Sequence, residues 1–413
     1  MDTVGFYLYL LFVTSWFIHL GERIPFLGMI RFDLLLLLCL AIMAIISYKK
    51  EGSERESFRT DNILSILVIF AVLSLPFTEW PGSVIRFGIP NFLKAVAFYY
   101  FTIKYVTSEK KLKIFISVFV LCQVFRVMEP LYLHITQGYW GDRAYYAGGY
   151  EYISRLSGSP MDIINPNGLA FVIITAIPFL YLFALYSRTW LLMFIASFPL
   201  LVYALILTGS RSGLVGFAIV ILGLWLKSRK KMIIGTICII GAALIFVNLT
   251  PDQQDRYLSI FDSSAKNAAT ASGRIEGVFE DFEVALRRPI FGHGLGTSLE
   301  ANSHFRGVYL HSHDLYTETA QELGFVGLFI LILFIRSLII DFINLGRKLK
   351  QYSNLFLKRM NDALQVWLGM NILFSLASYG LSTYSWYLFA GFSIVMLRLI
   401  SKQERQQAEY IVE

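Results

Sequence analysis

The sequence predicts an all-α polytopic membrane protein. About 12 transmembrane helices are expected, with a large structured loop on the non-cytoplasmic side between helices 9 and 10. Three observations carry this. Hydrophobic residues fill 56% of the 413 positions and charged residues only 16%, with a mean hydropathy of +0.59. Apolar runs long enough to cross a bilayer core recur along the whole chain. Lys and Arg are divided unevenly between the connecting loops. The aromatic share, 16% with 35 Phe and 23 Tyr, fits spans with interfacial belts.

The runs start near Val4, Met29, Asn62, Pro90, Leu112, Pro166, Trp190, Ser212, Met232, Leu315, Asp362 and Ser382. No Lys or Arg precedes the first run and no small-residue cleavage site follows it, so it reads as a retained span. The last two are joined by a short turn around Gly380. No internal repeat and no low-complexity linker divides the chain, so residues 1–413 read as one membrane domain.

With the N-terminus inside, the cytoplasmic loops hold 21 Lys and Arg, against six in the short outer loops (Arg23, Arg31, Arg86, Arg143, Arg155 and Arg211). That asymmetry fixes the orientation and puts both termini in the cytoplasm. It also accounts for most of the net charge of +7 without a nucleic-acid partner. Cys39, Cys122 and Cys238 all lie in apolar stretches and offer neither a disulfide framework nor metal-ligand spacing.

Two outer segments are long. Residues 131–165 are rich in Tyr and Gly. Residues 250–314 contain a helix over 274–287, with Ile275, Val278, Phe279, Phe282 and Leu286 on one stripe, Ser272 or Gly273 as its cap and Pro289 as its stop. This helix is expected along the membrane surface or over a cavity.

Basic and imidazole residues gather where even-numbered spans begin at the outer face. Lys94 lies in the first turn of span 4, Arg211 opens span 8, and His311-Ser312-His313-Asp314 opens span 10. Arg274 falls in the first turn of the surface helix. A helix N-terminus offers unpaired N–H groups and partial positive charge, so it attracts anions. A cation there works against the dipole unless an anion binds beside it. Arg adds a planar fork suited to phosphate oxygens. The plainer alternative is an arginine that snorkels to lipid headgroups. Arg126 and Glu129 stand about one turn apart and could pair with one another.

His313 is the candidate general base, since a positive helix terminus keeps imidazole neutral. Asp314 could orient the ring. His311 and His293 compete for the role, and two histidines at i and i+2 do not share a helix face, which argues against a metal pair. Gly292-His293-Gly294-Leu295-Gly296 lacks the strand and the Lys-Ser/Thr of a nucleotide loop and reads as a turn.

Together these strings resemble the O-antigen ligase and polymerase superfamily. His313-Asp314, with Glu322 nine positions on and Gly324 two further, is similar to its signature, with Asp314 where the family more often has Asn. Arg211-Ser212-Gly213, Arg274 and the glycine-rich stretch from Phe291 to Gly296 match its other motifs in order. Motif detail covers the chain from about Asn165 onward.

The resemblance implies a glycosyltransferase of the bacterial inner membrane that uses no metal or other cofactor and inverts configuration. It implies an undecaprenyl-diphosphate-linked glycan as donor at the periplasmic face. The acceptor would be the lipid A core oligosaccharide or, in polymerases, a second lipid-linked glycan. Arg211 and Arg274 would stabilise the departing diphosphate and His313 would deprotonate the acceptor. Arg86, Lys94, Arg126, Asp314 and Glu322 are further candidates for substrate contact. A transporter of lipid-linked glycans is the rival of another class; it would place polar and broken-helix features near the midplane of repeated halves.

Overall fold

The computed structural model describes residues 2–50, 58–145, 152–258, 269–352, 354–378 and 380–412. α1 (Asp2–Ile18) is followed by two short helices, α2 (Leu20–Arg23) and α3 (Pro25–Met29), and then by α4 (Phe32–Lys50). Next come α5 (Arg59–Leu73), the single turn α6 (Pro81–Ser83) and α7 (Ile89–Tyr105), with a π-helical turn at Val84–Gly88 leading into α7. α8 (Glu109–Gln137) ends in a hairpin of β1 (Gly141–Tyr145) and β2 (Tyr152–Leu156). α9 (Pro166–Ala184), α10 (Arg188–Thr208), α11 (Arg211–Lys227) and α12 (Lys231–Val247) follow on short turns. α13 (Pro251–Leu258), α14 (Ala269–Leu286) and α15 (Ser298–Arg306) precede α16 (Leu315–Lys348). α17 (Leu355–Phe374) and α18 (Tyr384–Val412) complete the series.

The protein is a helical membrane protein. Among the described residues five helices are long and apolar enough to cross a bilayer: α8, α9, α10, α16 and α18 over Tyr384–Arg405. α1, α4 and α12 carry shorter apolar stretches. Large apolar side chains face outward, such as Met232 and Ile239 on α12, because lipid rather than water surrounds them.

The helix starts are written in the sequence. Ser108, Asn165, Ser187, Ser210, Asp314 and Asn354 each accept a backbone N–H from the first turn of the helix that follows. Each such cap contributes about 1 kcal/mol. Gly138 and Gly209, with φ of 68° and 53°, close α8 and α10. α9 lies at the centre, packed by α8, α10, α11 and α17. An aromatic cluster joins the layers: Phe389 of α18 lies 5.6 Å from Phe119 of α8, 5.6 Å from Phe179 of α9 and 4.0 Å from Trp367 of α17.

The structure departs from expectation at four places. The segment 131–165 is not wholly loop: α8 runs on to Gln137, and an antiparallel hairpin pairs Gly141 with Leu156 and Asp142 with Arg155. Its tip, residues 146–151, lies outside the described residues. The helix expected from Arg274 begins by Ala269, because Ala269 and Ala271 extend it through Ser272 and Gly273. Arg274 is therefore in its second turn, and its side chain lies outside the described residues. α16 is not one continuous rod, since Gly324 breaks it with φ 68° and ψ −177°.

The fourth departure is the Arg126–Glu129 pair, which does not form. Arg126 is buried and grips Asp162 with two nitrogens, at 2.6 and 3.0 Å, and turns a third to Gln123. Glu129 instead receives both terminal nitrogens of Arg23, at 2.6 and 2.5 Å. Two bidentate pairs across the chain win over one pair within a helix because each matches a planar fork to a carboxylate.

Candidate functional site at one end of the bundle

The residues singled out in the sequence converge by way of α9 and α17. Ser210, the cap of α11, donates to Asn167 Oδ1 at 2.8 Å, so α9 and α11 start side by side. Phe171, one turn into α9, lies 5.1 Å from Phe374, the last residue of α17. A Cβ placed on Gly216 of α11 would lie 3.3 Å from the same Phe374 ring. The next residue, Ser375, accepts the N–H of Leu315 at 2.9 Å, and Tyr316 donates its hydroxyl to Ile372 O at 2.9 Å. The N-termini of α9, α11 and α16 therefore open around the C-terminal end of α17. Arg211 is half-buried at the first of these mouths that carries a cation, and His313 is exposed at the mouth of α16.

Two further arginines belong to this end: Arg155, which the sequence showed only as an outer-loop charge, and Arg256, which it did not single out. Arg155 of β2 is buried and donates to Thr208 O at 2.9 Å and Asn167 Oδ1 at 3.0 Å. Arg256 of α13 donates to Gly209 O at 2.6 Å. A Cβ on Gly209 would meet the Nε atoms of Arg256 and Arg155 at 3.3 and 3.8 Å. Three guanidinium-bearing residues thus gather within a few residues of the α10–α11 corner, where α10's carbonyls and α11's N–H groups also point. Beside them, burial pushes the Tyr257 phenol up to about 12, so it stays a neutral donor to Ile206 O.

Asp314 turns one carboxylate oxygen to the N–H groups of Tyr316 and Thr317, both at 2.8 Å. Burial raises its carboxyl above the ordinary aspartate range, and the two N–H bonds only partly offset that. The carboxylate is thus committed to starting α16. One turn on, Glu318 is buried and accepts the N–H groups of Gly380 and Leu381 at 2.8 and 3.1 Å, tying the α17–α18 turn to the same end. Nothing in the spacing of the sequence pointed to that contact.

The motifs read separately at Phe291–Gly296 and at Glu322–Gly324 are two sides of one joint. Glu322 is buried and accepts the N–H groups of Gly296 at 2.7 Å and Ser298 at 3.4 Å. Backbone bonds run from His293 N to Gln321 O and from Phe325 N to Pro289 O, both 2.7 Å. A Cβ on Gly324 would lie 2.4 Å from Ile290 O, and one on Gly292 would lie 2.4 Å from the Glu322 carbonyl carbon. The break in α16 lets its backbone serve this loop instead of its own helix.

His293 is buried in the joint, with Nδ1 2.7 Å from Glu79 Oε2 and Nε2 3.0 Å from Val284 O. Both nitrogens are engaged, so His293 is a latch and not a competitor of His313. Arg86 is exposed on the turn before α7, beside this loop, since a Cβ on Gly88 would overlap Leu295 O. Lys94 lies elsewhere, in a cleft between α1 and α4. Among the described residues no cluster of three His, Cys, Asp or Glu side chains could hold a metal ion.

Fold and site together define a helical membrane protein with a polar, arginine-rich end framed by helix termini. Residues 193–332 match the family model described as O-antigen ligase, a stretch that holds Arg211, Arg274, His313, Glu322 and Gly324. That stretch is about a third of the 413 residues, and over it the chain is similar to the O-antigen ligase superfamily. No curated protein matches the chain. An activity of the O-antigen ligase or polymerase type follows in general terms.

Proposed function

We propose that this protein transfers a glycan from undecaprenyl diphosphate to the lipid A core oligosaccharide at the periplasmic face of the bacterial inner membrane. Twelve helices cross the membrane in this reading and both termini lie in the cytoplasm. The observation that carries it is the shared end: Arg211 and His313 each open a helix beside the C-terminal end of α17.

Arg211 and Arg274 hold the donor diphosphate and stabilise the charge that develops on it as it leaves. Arg155 and Arg256 add positive potential at the same corner. His313 takes the proton of an acceptor hydroxyl, whose oxygen attacks the anomeric carbon as the carbon–phosphate oxygen bond breaks. One displacement inverts the configuration. Asp314 and Glu322 act by position, the first by starting α16 at His313 and the second by seating the glycine-rich loop. Arg86, exposed next to that loop, is a further contact for the glycan phosphates.

A polymerase of the same superfamily is the second reading, because its donor chemistry is the same and only the acceptor differs. Deletion in the native cell separates the two. A ligase mutant accumulates full-length carrier-linked glycan, whereas a polymerase mutant yields single-repeat products. Purified protein given carrier-linked glycan and lipid A core should join them, and a product elongated on the carrier instead would reject the ligase reading.

A further inference from the structure

We propose that the cleft between α1 and α4 binds a zwitterionic phospholipid, one whose headgroup carries both a phosphate and an ammonium group. The inference is separate from glycan transfer and uses none of Arg211, Arg274 or His313. The cleft holds about 400 Å³ and is lined by two cations, Arg31 and Lys94, and two carboxylates, Glu22 and Asp33. Among the described residues Arg31, Lys94 and Glu22 form no ion pair, and Asp33 accepts only the Ser15 hydroxyl.

A purely anionic headgroup entering there would meet both carboxylates as well as both cations. A headgroup with one charge of each sign can face its phosphate to Arg31 and Lys94 and its ammonium to Glu22 and Asp33. Trp16, Phe32 and Leu37 supply an apolar floor between these charges.

The wall of the cleft points to a lipid as the bearer of that headgroup. The link from α1 to α4 exposes Ile24, Phe26 and Met29, the last two at 65% and 81%. A water-exposed link has no reason to present three such side chains, whereas one dipping into lipid does. The link is also held in a set shape. His19 and Arg31, at its two ends, are the non-glycine residues with positive φ among those described, at 53° and 51°. That strain is kept where surrounding structure demands it, and at Arg31 it aims a cation at the cleft. Between them Gly21 and Gly28 touch backbone to backbone, since a Cβ on Gly28 would lie 2.5 Å from Gly21 O.

The test is native mass spectrometry of the full chain in detergent, with dioleoyl phosphatidylethanolamine or dioleoyl phosphatidylglycerol added at equal concentration. The wild type should retain the ethanolamine lipid about fivefold more than the glycerol lipid. Arg31→Ala with Lys94→Ala, and separately Glu22→Gln with Asp33→Asn, should bring the ratio to about one. Equal retention of the two lipids by the wild type overturns the headgroup assignment without any variant having to fold. A preference that survives in both double variants overturns the assignment to this cleft.

Discussion

At the scale of single residues, the site separates groups that face the opening from groups committed to the frame. His313 is exposed and stands one residue before the cap of α16, while Asp314, Glu318 and Glu322 are buried and spend their oxygens on backbone N–H groups. His313→Ala should therefore cut transfer by about 10²–10⁴-fold, the usual contribution of a general base, without lowering the melting temperature. Asp314 carries a buried charge whose carboxyl is raised. Its share of stability is full below the ordinary aspartate value of about 3.9 and is lost as pH rises through the raised value. Asn caps a helix about as well, so Asp314→Asn should melt at or above the wild type at pH 7.5 and lose that advantage near pH 4. A lower midpoint at pH 7.5 would mean the charge itself is needed. Asp162 shows the opposite sign. Burial would raise it, but hydrogen bonds from His19 and Arg126 and their charges hold it down at about 2. Its contribution is present above about pH 4 and disappears as pH falls towards 2. Arg126→Ala strands that carboxylate in the interior and should cost about 3–5 kcal/mol, read as a lower melting midpoint near neutral pH.

At the scale of elements, the joint between the broken helix α16 and the glycine-rich loop is the part on which placement of α14 and α15 depends. Gly324→Ala puts a methyl group 2.4 Å from Ile290 O at a φ of 68°. It should cost about 1–3 kcal/mol and loosen the loop, which hydrogen exchange over residues 288–298 would report. Unchanged protection there would show that the joint tolerates the side chain. The sequence made the caps of α9, α11 and α16 legible, because Asn165, Ser210 and Asp314 announce helix starts by chemistry local to one turn. It also made the paired glycine motifs visible as spacing. Their contact was not legible, since 26 residues separate Gly296 from Glu322 and hydropathy passes over a glycine inside an apolar run. The β1–β2 hairpin was hidden for a related reason: a segment rich in Tyr and Gly carries no alternation of apolar and polar residues from which to read strands.

At the scale of the whole molecule, membrane class and helix placement were legible because bilayer thickness sets the length of apolar runs. The twelve runs overlap described helices, of which five are long and apolar enough to cross a bilayer, and the proposed orientation rests on the uneven loop charges. Reporter fusions should place the 347–354 loop in the cytoplasm with residues 138–165 and 288–314 outside. An inward report from either outer segment would reverse the proposed orientation. Arg211 and His313 could be foreseen as helix openings at the outer face, but the packing that joins them was not, because it depends on α17 ending between α9 and α16. The roles of Arg155 and Arg256 were not legible, since each bonds a backbone carbonyl at the C-terminal end of α10, which leaves no trace in composition. The most direct test of the shared end is to measure donor binding apart from transfer. Purified wild type, Arg211→Ala and His313→Ala would be titrated with undecaprenyl diphosphate and then assayed with glycan donor and acceptor. Arg211→Ala should bind the diphosphate about tenfold or more weakly, as loss of one charged hydrogen-bonding group implies, while His313→Ala binds normally and does not transfer. Normal diphosphate binding by Arg211→Ala, or full transfer by His313→Ala, would contradict the proposed site.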